Sequence, residues 1–122
     1  AATSGPDTDF TAKLVDVRPD GYAQNVADGI LRGRFRDSRV NAHPMVPDRV
    51  YELTIDLWST SHVFRPGHRI RLEISSSNFP RFDRNLNTGG DPATSTSFRP
   101  ARQSVFHDAS HPSHVLLPVI PR

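Results

Sequence analysis

Asp83, Asn85 and Asn87 fall on alternate residues of "FPRFDRNLNTGGD", with two glycines close behind. That spacing opens a calcium-binding loop, so metal chemistry is the first test. An EF-hand loop needs glycine at its sixth position and a bidentate glutamate at its twelfth. Counted from Asp83, those positions hold Thr88 and Thr94. The remaining carboxylate charge is too small for a good calcium site, and the stretch reads instead as a loop whose Asn and Asp side chains bond their own backbone. His107, His111 and His114 cluster beside Asp108 in "HDASHPSH". Zinc accepts such ligands, but Pro112 interrupts the segment and no helix presents the rings on one face. They read as surface histidines, and no metal or cofactor is expected.

Nucleophilic catalysis is the second test. Serine, histidine and aspartate are all present, but nothing approximates the G-x-S-x-G turn that exposes a nucleophilic serine. Ser75, Ser76 and Ser77 follow a predicted strand with no glycine framing them and no helix after them. No catalytic residue is expected in the chain. Arg32, Arg34 and Arg36 point one way from a predicted strand, as the solvated face of a sheet or as partners of aspartates on its neighbour. Clustered cations interleaved with aromatics, which single-stranded nucleic acid requires, are missing.

The elements that position these groups are strands. "FTAKLVDV" alternates Phe10, Ala12 and Leu14 with Thr11, Lys13 and Val15. Pro19-Asp20-Gly21 turns the chain into "QNVADGILRGRFRD", predicted to extend to Arg36 with a bulge or bend at Asp28-Gly29. "VYELTIDLW" has the clearest pattern, with Tyr51, Leu53, Ile55 and Leu57 predicted inward. Trp58 is expected in a core or interface. "STSHVFRPGH" has room for one helical turn. "HRIRLEISSS" alternates again, with Ile70, Leu72 and Ile74 inward. Residues 78–101 form a long ordered loop, and "QSVFHD" and "HVLLPVI" read as the last strands.

Composition agrees with this pattern. The 122 residues make one domain by length, and eleven prolines suit short strands and ordered loops better than helices. Fifteen basic and thirteen acidic side chains leave a net charge of +2. Their signs are mixed along the chain, so neither nucleic acid nor membrane is an expected partner. No cysteine is present, which fits a reducing compartment. With no signal-peptide core, a cytoplasmic location is the expectation. The fold class is all-β, most simply a β-sandwich.

The order of motifs is distinctive. "DTDFTAKLVDVRPDG", "GILRGRFRD", "YELTIDLWSTSHVFRPGHRIRLEISSSNFPRFDRNLNTG" and "HPSHVLLPVIP" follow one another. This closely resembles the C-terminal domain of the CocE/NonD hydrolases, which include cocaine esterases, α-amino acid ester hydrolases and X-prolyl dipeptidyl aminopeptidases. The resemblance implies a jelly-roll, galactose-binding-like β-sandwich over residues 1–122. It also implies a partner, the α/β-hydrolase domain that carries the Ser-Asp-His triad of the parent serine hydrolase. Upstream strands of the family's domain are missing, so an N-terminally incomplete fragment is expected, with self-association through uncovered strands. Asn78, Phe79, Arg81, Asp83, Arg84, Asn85 and Asn87 are then expected to form a polar surface packed on the catalytic domain. The rival reading is a stand-alone carbohydrate- or polymer-binding jelly-roll module, which requires an exposed aromatic platform.

Overall fold

A computed structural model describes residues 1–120 of the chain. Five strands are present among them: β1 (Ala2–Thr3), β2 (Asp9–Val17), β3 (Ala23–Arg32), β4 (Arg69–Ser75) and β5 (Gln103–Ser104). A three-stranded antiparallel sheet runs β3-β2-β4, and β1 pairs with β5. The class is all-β and of sandwich type, as the sequence predicts.

Strand β2 is the axis of the molecule. Phe10, Ala12, Leu14, Val15 and Val17 are all buried along it. Each large apolar side chain among them contributes about 1.5–3 kcal/mol by leaving water. The β2–β3 hairpin closes where predicted. Gly21 N–H donates to the Arg18 carbonyl at 3.0 Å, Tyr22 N–H donates to Asp20 Oδ1 at 3.0 Å, and Gly21 takes φ of +90°. Such a φ is inexpensive only for glycine.

The bulge lies elsewhere than predicted. Leu14 pairs with Ala27 and Val15 with Asn25, so Val26 is the extra residue. Asp28 and Gly29 pair regularly with Lys13 and Ala12. Gly29 is needed for a different reason: a Cβ there would stand 2.0 Å from the carbonyl oxygen of Asp56. A Cβ points out of the sheet plane, so the segment around Asp56 lies across the face of the sheet at Gly29.

That contact explains the main correction. Tyr51, Leu53, Ile55 and Leu57 are half-buried and their neighbours exposed, as the alternation predicts. Yet residues 50–58 form no strand among the described residues: Tyr51 exchanges backbone bonds with Ala1 beside β1, and the chain then crosses the sheet face at Gly29. Trp58, expected in a core or interface, is 76% exposed at φ of +63°. The helical turn for which this stretch has room does not form among the described residues, and Arg65–His68 form a turn with Gly67 at φ of +83°. Strand β4 forms as predicted, but Ile70, Leu72 and Ile74 are exposed. It is an edge strand bonded only to β2. Of "QSVFHD" only Gln103–Ser104 is a strand, and residues 114–120 form none.

Strand β3 also ends earlier than expected. Gly33–Phe35 form a 3₁₀ turn, which the Asp7 carboxylate caps by accepting the Arg34 N–H at 3.0 Å. Gly33 sits against the Met45 sulfur. The backbone therefore turns away from the sheet before Arg34 and Arg36. No described helix is long and apolar enough to cross a membrane.

A candidate interface loop and its buried anchors

Residues 78–90 return over the sheet face opposite the one crossed by residues 50–58. Three buried aspartates on that side hold them. Asp28 accepts from Asn78 Nδ2 at 3.2 Å and from Arg81 Nε at 2.9 Å. Asn85 Nδ2 donates to Asp7 Oδ2 at 3.0 Å and to Asp9 Oδ1 at 2.8 Å. Arg32 donates to Asp9 through Nε and Nη2 at 2.9 and 3.1 Å. This two-point bond to Asp9, with burial opposing it, raises the Arg32 pKa further above its ordinary value. Arg34 Nη1 reaches the Gly89 and Gly90 carbonyls, both at 2.9 Å. Buried carboxylates need such donors, since an unpaired buried charge costs several kcal/mol.

The seven predicted loop residues thus divide. Asn78, Arg81 and Asn85 bond aspartates of their own chain. Asn87 donates from Nδ2 to the Arg99 carbonyl at 3.0 Å and from its backbone N–H to Asn85 Oδ1. Phe79, Asp83 and Arg84 remain outward. Phe79 is 59% exposed, with the Arg84 guanidinium 4.8 Å from its ring centre. Asp83 makes no hydrogen bond or ion pair among the described residues and borders a depression shared with Arg32, Phe35 and Arg81.

Asp7, Asp9 and Asp28 are the residues that sequence reasoning passed over. Nothing local marked them, because a strand aspartate differs from a solvated charge only by partners remote in the chain. The arginine row proves not to be one flat face. Arg32 takes Asp9, Arg34 takes Asp7 and the glycine carbonyls, and Arg36 donates to the Gly33 and His43 carbonyls while lying over Tyr51.

A second unpredicted cluster stands at the far end of β2. Asp16 is nearly inaccessible and accepts from His62 Nε2 at 2.9 Å and His68 Nδ1 at 2.8 Å. Burial pushes the Asp16 carboxyl up, and the bonds from His68 and then His62 more than offset it, leaving it below its ordinary value. Imidazole and carboxylate are two parts of a hydrolytic triad. No serine hydroxyl bonds either ring among the described residues. Ser75 Oγ instead accepts the Ser77 N–H, and Thr11 Oγ1 bonds the Ser75 carbonyl. The cluster does structural work, pinning residues 62–68 to β2. At the other cluster, Asp108 accepts backbone N–H bonds from His111 and Ser110, which lower its pKa. His114 Nδ1 faces the Pro112 carbonyl at 3.2 Å.

Fold and site together define an all-β domain whose buried carboxylates hold its long loops in place. The chain belongs to the X-Pro dipeptidyl-peptidase C-terminal non-catalytic domain family, whose model matches residues 1–116. It is 49% identical over 123 residues to a cocaine esterase of Rhodococcus sp. (strain MB1 Bresler), covering 99% of this chain and 21% of that one. In structure it is similar to an aminopeptidase from the marine sediment archaeon Thaumarchaeota archaeon, with a TM-score of 0.80 and 40% identity over 90% of this chain and 20% of that one. An α-amino acid ester hydrolase matches with a TM-score of 0.61 and 34% identity, over 71% of this chain and 16% of its own length. These relatives support the CocE/NonD assignment. The chain spans about a fifth of the length of the curated relatives it matches.

Proposed function

We propose that this non-catalytic C-terminal domain packs on, and stabilises, the catalytic α/β-hydrolase domain of a longer serine hydrolase acting on ester or amide bonds. The match of residues 1–116 to a non-catalytic domain family carries the reading. The contact surface is the loop of residues 78–101, which buried Asp7, Asp9 and Asp28 hold in one shape. A surface fixed before contact loses little conformational freedom on docking. Phe79, Asp83 and Arg84 are the groups it offers outward.

Phe79→Ala and Asp83→Ala in the full-length protein test this. Neither side chain bonds a buried anchor, so a lowered melting temperature reports contacts made outside this domain. The expected result is a lower melting temperature with little change in kcat on an activated ester. An unchanged melting temperature in both variants would sink the proposal.

A further inference from the structure

Lys13 is the single lysine of the chain, and it sits half-buried in the central strand among buried neighbours. Its side chain lines an open cleft of about 610 Å³ together with Ser76, Ser77, Asn78 and Arg84. The register sets Asp28 opposite it on β3 and Glu73 opposite it on β4. Both acids already have arginine partners: Arg81 holds Asp28 at 2.9 Å, and Arg71 holds Glu73 at 3.4 Å. Lys13 itself makes no ion pair or hydrogen bond among the described residues. Arg84 is in the same position, with only the Phe79 ring beside it.

The other polar groups of the cleft are unequal. Asn78, Asn85 and Asn87 each direct an amide N–H to Asp28, to Asp7 and Asp9, or to the Arg99 carbonyl. The hydroxyls of Ser76 and Ser77 bond nothing among the described residues. What the cleft has left over is therefore two cations and two hydroxyls. Charge-assisted donors of this kind, lining one concavity, fit a carboxylate. Arg81 and Arg71 already engage the two carboxylates that flank Lys13, which leaves its ammonium available to a third.

We propose that the Lys13–Arg84 cleft receives an aspartate or glutamate side chain presented by the catalytic domain. This rests on the packing role proposed above and names its charged contact. The carboxylate bridges the lysine ammonium and the Arg84 guanidinium, and the serine hydroxyls bond its remaining lone pairs.

The lone lysine makes the test clean. A water-soluble carbodiimide joins an amine to a carboxylate only where the two are in contact, and within residues 1–122 Lys13 is the only side-chain amine. Full-length protein is cross-linked and its peptides are mapped by mass spectrometry, with amide exchange across residues 79–84 followed in parallel. The expected product links Lys13 to an acidic residue outside residues 1–122, at a yield that Arg84→Gln lowers several-fold. Lys13→Arg keeps the native melting temperature, whereas Lys13→Gln lowers it. An unlinked Lys13, or linkage only to carboxylates within residues 1–122, overturns the proposal. Protected amides at 79–84 with an unlinked Lys13 would remove the carboxylate and leave the packing role standing; unprotected amides would remove both.

Discussion

At the scale of single residues, the carboxylates govern this domain. Asp9 holds Arg32 at two points and Asn85 at a third. Asp9→Ala is expected to destabilise the domain by about 2–3 kcal/mol, the usual cost of losing buried bonds to charged partners. The shift in the domain's urea midpoint measures it, and a change within error would mean that the network is dispensable. Asp16 sets a pH dependence. Its folded pKa is depressed, so its contribution is fully present above the unfolded aspartate value of about 3.9 and is lost as pH falls through the lower folded value. Asp16→Asn should therefore flatten the acid limb of the stability curve below about pH 4. Urea midpoints across that range decide, and an identical acid limb in the variant would remove Asp16 from the account. These roles were hidden in the sequence because an aspartate in a strand looks like a solvated charge until its partners are known. Asn85, by contrast, was legible as a loop-forming residue, though not as the bridge between Asp7 and Asp9.

Among the elements, alternation marked the half-buried face of residues 51–57 correctly and the face of β4 incorrectly, and it carried no information about pairing. The β2–β3 hairpin was legible because its turn chemistry is local. Residues 50–58 show the opposite case: Tyr51, Leu53, Ile55 and Leu57 alternate as in a strand and face inward, yet the segment crosses a sheet face. Only a contact remote in sequence, Asp56 against Gly29, distinguishes the two outcomes. Gly29→Ala tests that contact directly. A Cβ placed 2.0 Å from the Asp56 carbonyl must displace the crossing segment, at a cost of about 1–3 kcal/mol for overpacking. Trp58, the sole tryptophan, lies two residues from Asp56 and reports the movement through its emission. Unaltered emission and stability would show that the segment is held elsewhere. Strand β4 was found correctly and its inward face was not, since burial depends on what covers the strand as well as on its own pattern.

On the scale of the whole molecule, the proposed division of labour predicts where chemistry occurs. A serine-directed phosphonate should label the full-length protein once, on a serine outside residues 1–122, and abolish turnover of p-nitrophenyl butyrate. An adduct on Ser75, Ser76, Ser77 or any other serine of this chain, found by peptide mapping, would make the domain catalytic after all. The sheet order has a consequence in time. Strand β2 pairs with β3 across a short turn, but its other edge waits for β4, whose last residue follows Val17 by 58 positions. At a synthesis rate of ~5–20 residues per second, that edge goes unpaired for roughly 3–12 s on the ribosome. The most apolar strand of the domain is thus a nascent hairpin with one open side, and the interval before β4 emerges is when a chaperone has most to protect.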